Sequence, residues 1–442
     1  MSRARDAQGD VWADEGDPME VVRSTLPNGL RVVVLSDRSA PVVSFWVWYR
    51  VGARDERPGQ TGISHWVEHM LFKGTPRLGR GGLDRLFARL GARWNGFTTA
   101  DFTVYFETLP QSTWEVAAEV EADRMRNTVF DPEEVERERT VILSERGMYE
   151  NDPSSVLHEE VAALAFKAHP YRQPVIGWRT DLQRITREEL LDHYHAYYRP
   201  NNATVVLVGA VSAEEALRAV EAHFGGIEPG ERPPEVRIEE PPQGGERRVV
   251  VERPGGAVPL VQMAYRVPAG PHPDTVPLLV LDAVLSGGKP LSWGGSGGMG
   301  RSSRLYRALV RTRLAAAVSS GFTPSLDPGL LWISVTAQPG VKPESLEAAV
   351  EAELARVREE LVPEEELHRA TKQLRAQLAY GADDASGRAL WLGFVEMLGV
   401  RAWFSELPRA LEQVTPEEVR RVAQTYLQRK TRTVGWYLPE AA

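Results

Sequence analysis

The chain of 442 residues contains no cysteine. Disulfide bonds are therefore excluded, and any metal ion that the protein binds must be held by histidine, aspartate or glutamate. The sequence also lacks an excess of basic residues, because its formal net charge is −9 at pH 7. Nucleic acid is thus not expected as a partner, since recognition of a phosphate backbone calls for a basic surface.

Long apolar runs are missing as well. No segment approaches the roughly 18–20 residues that a membrane-spanning helix requires, so no membrane partner is expected. The first 20 residues are polar and acidic, without the basic and then apolar layout of a secretion signal. We therefore expect a cytoplasmic protein in which residues 1–18 form a disordered tail.

The composition that remains, 42% hydrophobic and 26% charged residues, is typical of a globular protein long enough for two domains. Residues 229–246 are rich in proline, glycine and charge and predict a linker between residues 19–228 and 247–442. Each half opens with two β-rich segments and closes with a threonine-capped helix and an apolar strand. We therefore predict the α+β class, with two homologous α/β-sandwich-like domains of mixed or antiparallel sheet packed against helices. Generic alternation of helices and strands is the alternative.

The strongest chemical signal lies in residues 61–72, TGISHWVEHMLF, which predict a helix. His65 and His69 are four residues apart, so both imidazoles lie on one helix face and can bind one zinc ion. Glu68 is positioned to lean over the same site without ligating the metal. There it could take a proton from a water molecule that the metal has acidified. Taken alone, the short H-x-x-E-H pattern is equally compatible with a capped helix of no catalytic role.

A catalytic zinc site needs a third protein ligand. Asp131-Pro132 predicts the start of a helix, along which Val135, Glu138, Ile142, Glu145 and Met148 form one stripe. The stripe is apolar apart from its two carboxylates, and a buried carboxylate needs a partner or a metal. Glu138 or Glu145 is the candidate ligand, with the other one supporting it. The spacing does not rank the two.

These segments resemble the pitrilysin and mitochondrial-processing-peptidase family of inverted-motif zinc peptidases. Residues 61–75 are similar to the family signature almost throughout. The family's third ligand is a glutamate about 76 residues beyond the second histidine, in a stretch like residues 139–145. The resemblance therefore implies one Zn²⁺ ion per chain held by His65, His69 and Glu145. It also implies Glu68 as catalytic base and Glu138 as the supporting acid.

The resemblance also gives a role to residues 95–105, which alternate as a single β-strand would. In the family the matching stretch is an edge strand to which the substrate adds as a further strand. Such pairing accepts many sequences and implies unfolded peptides as substrates. The implied substrate-contacting residues are Asn95, Gly96, Phe97, Thr98 and Thr99.

The second half departs from the family pattern. Many active members carry an arginine and a tyrosine that help to hold the substrate at the zinc. Here the tyrosine position falls on Ala316, and the arginine position falls on Val310 or, with a shift, Arg311. The missing pair suggests a heterodimer in which a homologous partner chain supplies it.

Residues 286–300 are rich in glycine and do not follow the order of a phosphate-binding loop. A flexible loop is the expectation, and its similarity to a glycine-rich loop of the processing peptidase's partner subunit suggests that it guides substrate. The leading interpretation is a zinc-dependent endopeptidase that cleaves unfolded peptides inside a closing chamber. A non-catalytic structural subunit and a maturase dedicated to one precursor are the alternatives.

Overall fold

The computed structural model describes residues 12–13, 20–254, 256–290 and 300–440. The chain forms two compact units, each built from discontinuous stretches. The first unit holds the described residues up to Glu145, together with Pro174–Arg237 and Ala382–Met397. The second holds Arg146–Gln173, Ile238–Gly381 and the described residues from Leu398 onwards.

Each unit contains one mixed β-sheet. The strands of the first sheet are β1 (Trp12–Ala13), β2 (Val21–Thr25), β3 (Arg31–Ser36), β4 (Val42–Tyr49), β5 (Arg93–Thr98), β6 (Thr103–Pro110) and β7 (Ala203–Gly209). Those of the second sheet are β8 (Arg247–Arg253), β9 (Leu260–Val267), β10 (Ala315–Phe322), β11 (Gly329–Ala337) and β12 (Arg432–Pro439). The strand orders are β1-β2-β3-β7-β4-β6-β5 and β10-β11-β9-β12-β8.

The two sheets repeat one topology. In the first, β3 pairs with β7 in parallel, and β4, β6 and β5 follow in antiparallel register. In the second, β8 pairs with β12 in parallel, and β9, β11 and β10 follow in antiparallel register. The predicted pair of homologous α/β domains with mixed sheets is thereby confirmed. It also follows that β5 and β10 are equivalent edge strands.

The helices flank these sheets. Those of the first half are α1 (Ile63–Leu71), α2 (Gly82–Leu90), α3 (Glu115–Asn127), α4 (Pro132–Asn151), α5 (Pro153–Ala165), α6 (Arg179–Leu182), α7 (Arg187–Tyr197) and α8 (Ala213–Phe224). Those of the second half are α9 (Thr275–Ser286), α10 (Pro343–Glu359), α11 (Glu364–Gly381), α12 (Ala385–Leu398), α13 (Trp403–Gln413) and α14 (Pro416–Tyr426). Shorter 3₁₀ or π-helical turns lie at Ala53–Asp55, Pro170–Arg172, Pro200–Asn202, Tyr306–Val310 and Arg429–Thr431. Within the described part of the chain, no helix has both the length and the apolar character needed to cross a membrane.

The two halves of the chain exchange a helix. Helix α5, from the first half, packs on β9 and β12 of the second sheet, where a side chain at Gly435 would overlap Val161. Helix α12, from the second half, packs on the first sheet, where a side chain at Gly393 would overlap Trp48. In both places glycine permits a close approach of helix and sheet. The predicted boundaries at residues 228 and 247 assume contiguous halves and do not anticipate this exchange.

Several local predictions can be compared with the structure. The caps at Thr186 and Thr415 are confirmed, each with a reciprocal capping box. The single strand predicted for residues 95–105 is wrong, because the chain reverses there. The Thr99 hydroxyl accepts the backbone N–H groups of Asp101 and Phe102 and closes a turn between β5 and β6.

Two predictions fall on other parts of the chain. The predicted tail, residues 1–18, lies outside the described residues apart from Trp12–Ala13, whose backbone pairs with β2. Most of the glycine-rich segment 286–300 also lies outside them. The linker segment 229–246 has no regular secondary structure before Arg247. It is nevertheless tied down, because the Glu240 carboxylate accepts backbone N–H groups of residues 167–169.

Candidate metal centre

Helix α1 is fixed at its first turn by residues outside the H-x-x-E-H pattern. Gly62, its N-cap, has φ +87°, and a side chain there would meet the Ile176 carbonyl oxygen at 2.3 Å. The buried Glu56 carboxylate accepts the N–H groups of Gly62 at 2.8 Å and Ser64 at 2.9 Å. Because these N–H groups have no partner within the helix, an acid at this position both satisfies them and complements the helix dipole.

The structure brings together His65, His69 and Glu145. The two Nε2 atoms of the histidines are 3.2 Å apart. Glu145 Oε2 lies 3.9 Å from His65 Nε2 and 3.8 Å from His69 Nε2. Donor atoms around a tetrahedral zinc ion are about 3.3 Å apart, so small adjustments of the carboxylate would close the set. No other group of three such side chains is found in the described residues.

The chemistry of the donors fits a zinc ion. Burial is the main cause that lowers the pKa of His65, to about 3, so this imidazole is neutral, as a metal ligand must be. Burial raises the pKa of Glu145, and the charge of nearby His69 offsets that rise only in part, so a metal cation would stabilise the carboxylate. A set of two histidine nitrogens and one glutamate oxygen is that of catalytic zinc sites, in which the fourth ligand is water or substrate.

Glu138 lies on the other side of His69. Its Oε1 atom is 2.7 Å from His69 Nδ1, and its Oε2 atom forms an ion pair with Lys73. A hydrogen bond from Nδ1–H to this carboxylate leaves the lone pair of Nε2 facing His65 and Glu145. Glu138 therefore contacts the imidazole of His69, and its role as supporting acid stays a prediction. The equivalent atom of His65, Nδ1, is buried without a partner among the described residues.

Glu68 is buried next to this group. Burial raises the pKa of its carboxyl, and the Thr98 hydroxyl, which donates to Glu68 Oε2 at 2.7 Å, opposes that rise. A general base with a raised pKa is better matched to proton transfer near neutral pH. Thr98 is the last residue of β5, the edge strand of the first sheet.

The other predicted substrate residues are distributed around β5. Asn95 is exposed, and its Oδ1 atom accepts the Gly96 N–H. The Phe97 ring packs against Trp46 on the opposite face of the sheet from α1. Thr99 is buried in the turn after β5. Asn95 is thus the residue of this set with an exposed side chain.

Sequence reasoning missed Glu56, Lys73 and the contact of Thr98 with Glu68. Lys73 lies in the signature segment LFKGT, so its position could have been noticed. Glu56 gave no signal, because its partners are backbone groups. The positions of the missing pair, Arg311 and Ala316, are both exposed, and Ala316 lies at a bulge of β10.

Comparison with known proteins shows to which protein family the chain is similar. A model described as "Insulinase (Peptidase family M16)" matches residues 31–178, and one described as "Peptidase M16 inactive domain" matches residues 184–374. A zinc protease, PqqE, of Helicobacter pylori is 30% identical over 82% of this chain and 80% of that protein. A probable mitochondrial-processing peptidase subunit beta of Arabidopsis thaliana is 28% identical over 91% of this chain and 76% of that protein.

A solved structure gives the same result. The crystal structure of a protease from Helicobacter pylori superposes with a TM-score of 0.90 at 27% identity, covering 95% of this chain and all of that one. The relatives, the matched family models and the duplicated fold agree with the H-x-x-E-H helix. The chain belongs to the insulinase family of peptidases, M16, also known by its pitrilysin and processing-peptidase members.

Proposed function

We propose that this protein is a zinc-dependent endopeptidase that cleaves unfolded peptides. The observation that carries the proposal is the convergence of His65, His69 and Glu145 on one point, with Glu68 buried beside it. A zinc ion bound there would act as a Lewis acid and lower the pKa of a water molecule. The names of the relatives support a metalloprotease, and a cytoplasmic location remains part of the proposal.

Each side chain has a distinct role in this mechanism. Burial lowers the pKa of His69, but the hydrogen bond to Glu138 and the nearby carboxylates raise it overall, so zinc binding would displace a proton from this imidazole. His65 and His69 would then offer their Nε2 lone pairs, and Glu145 would offer a carboxylate oxygen. Glu68 accepts the proton of the attacking water on its carboxylate and passes it to the leaving amine, as a general base that turns into a general acid. Glu138 holds the proton on His69 Nδ1.

The substrate would bind along β5. This strand pairs with β6 on one side and, within the described residues, has no strand on the other, so its outer backbone groups can pair with an extended peptide. Asn95 presents an exposed side chain near that edge, and the Thr98 hydroxyl reaches Glu68. Recognition through backbone groups would favour unfolded peptides of many sequences and does not separate a general endopeptidase from a maturase.

A homologous partner chain forms the second part of the proposal. The side chain of Ala316 has no group that could hydrogen-bond to a substrate, and Arg311 lies before β10, outside the strand. A partner that supplies the missing arginine and tyrosine would complete a heterodimeric chamber. Full turnover by the purified chain, as a monomer or with itself, would refute this part.

The decisive experiment combines zinc analysis with a peptidase assay. Glu68→Gln should retain zinc and lose turnover, whereas Glu145→Gln should lose most of its zinc. Glu133→Gln, at an exposed position on α4, is the matched control and should keep both. Near-normal turnover by Glu68→Gln would refute the mechanism. Stoichiometric zinc without turnover, even with homologous chains added, would favour the non-catalytic subunit instead.

A further inference from the structure

The contact between Thr98 and Glu68 joins the edge strand to the base. We infer that Thr98 is a positioning residue for Glu68, and that it couples the docking of a peptide on β5 to the alignment of that base. The inference rests on the proposed function. It assigns the Thr98 hydroxyl a role separate from the substrate contact that the family resemblance implies for this residue.

The two carboxylate oxygens of Glu68 differ in their hydrogen bonding. Oε2 accepts the Thr98 hydroxyl at 2.7 Å, and Oε1 has no hydrogen bond to the described part of the chain. A glutamate side chain has several rotatable bonds, so a single donor on one oxygen restricts where the other can lie. The free oxygen is then the one available to take a proton from water.

The hydroxyl of Thr98 is itself held in place. Its Oγ1 atom packs 3.3 Å from Thr103 Oγ1 on β6, without a hydrogen bond between the two, because the Thr98 proton goes to Glu68 and the Thr103 proton goes to the Val51 carbonyl at 3.0 Å. This chain of contacts runs from Glu68 into the buried part of the sheet. The donor is therefore built on rigid structure, as an aligning group requires.

The backbone of Thr98 faces the open edge of the sheet. Thr99 donates its N–H to the Phe102 carbonyl at 2.8 Å. Because inward and outward backbone groups alternate along an antiparallel pair, those of Thr98 and Gly96 point away from β6. The bond between Gly96 N–H and the Asn95 side chain agrees with this alternation. One residue thus presents its backbone to an incoming peptide and its hydroxyl to Glu68.

The test compares Thr98→Val, which keeps the shape and removes the hydroxyl, with Thr98→Ser, which keeps the hydroxyl. Thr108→Val is the matched control, because its hydroxyl contacts Ser44 on the same sheet, away from α1. In the zinc-loaded protein, Thr98→Val should lower kcat about 10- to 100-fold with KM changed by less than about threefold. Thr98→Ser should restore kcat, and Thr108→Val should leave it unchanged.

Two readouts separate alignment from a general structural defect. Zinc content should be equal in all variants. In a Glu68→Gln background, adding Thr98→Val should leave the Kd of an uncleaved peptide unchanged, because the substrate contacts of the backbone persist. A rise in KM with kcat unchanged, or weaker peptide binding in that background, would overturn the inference in favour of a substrate contact.

Failure of the proposed function would be recognisable on its own. If the zinc-loaded wild type cleaved no peptide, crystal structures of wild type and Thr98→Val would still decide the positioning role. Displacement of the Glu68 carboxylate in the variant supports the inference. An unmoved Glu68 carboxylate overturns it.

Discussion

Replacing Gly393 by alanine should destabilise the protein, although the same change inside a helix ordinarily stabilises. Gly393 lies within α12, the helix that the second half contributes to the first unit. A Cβ atom there would lie 2.2 Å from both Cε2 and Nε1 of Trp48. Real Cβ atoms do not approach other heavy atoms so closely, so either the helix or the indole must move.

The size of the effect follows from the surroundings of Trp48. Its side chain is fully buried, and the rings of Trp46, Phe97 and Phe102 surround it with centroids 5.3–6.3 Å away. Overpacking of this kind costs about 1–3 kcal/mol. Alanine gains about 1 kcal/mol over glycine in a helix interior, so we expect a net loss of up to about 2 kcal/mol.

The assay is urea unfolding followed by tryptophan fluorescence, with Gly381→Ala as the control. Gly381 is the last residue of α11, and a Cβ atom there would meet nothing within 4 Å. The control should therefore keep or raise the unfolding midpoint, whereas Gly393→Ala should lower it. If both variants raised the midpoint, the close packing of α12 on Trp48 would be refuted.

Three further predictions concern the centre and its helix. Glu138→Gln should weaken zinc binding about 10- to 100-fold in a chelator competition, because it loses the charged acceptor of His69 Nδ1; an unchanged affinity would contradict its supporting role. Gly62→Ala should lower both the unfolding midpoint and the zinc content, since its Cβ would overlap the Ile176 carbonyl, and normal zinc content would argue against that overlap. Burial lowers the pKa of His193 to about 3 from 6.5, so the unfolded chain binds more protons between these values and stability falls as pH falls through that window. His193→Asn should reduce the slope of the unfolding free energy against pH by up to about 1.4 kcal/mol per unit, and an unaltered slope would refute the assignment.

Local sequence signals predicted much of the fold. Thr186 and Thr415 predict where their helices begin, because a capping box involves residues only three apart. Asp131-Pro132 marks the first turn of α4 in the same way, and Asp131 accepts the N–H groups of residues 133 and 134. The grouping of His65 with His69 is also local, since both lie on one helix. Such features depend on a few neighbouring residues and can be inferred without tertiary structure.

Other features depend on long-range contacts. The stripe predicted on α4 holds for Val135 and Ile142, which are buried, and fails at Met148, which is 66% exposed. Hydrophobic periodicity predicts which face of a helix is buried, but it does not predict the residue at which the structure packed against that face ends. The exchange of α5 and α12 could not be predicted either, because the sequence of an amphipathic helix does not indicate on which of two sheets it packs. The Thr98–Glu68 contact could not be predicted, because it joins two elements that are far apart along the chain.

The duplicated topology bears on the arginine and tyrosine that this chain lacks relative to many active members of the family. Since β10 holds in the second sheet the place that β5 holds in the first, the family's tyrosine position falls on an equivalent edge strand. The segment Ala315–Ala317 offers only methyl groups there, and its bulge shifts the register against β11 without adding a polar group. Helices α1 and α4 of the first unit carry the proposed metal ligands and base, and the edge strand of the second sheet lacks the tyrosine that many active members of the family carry. An assay with and without homologous chains therefore tests whether one polypeptide or two form the complete active site.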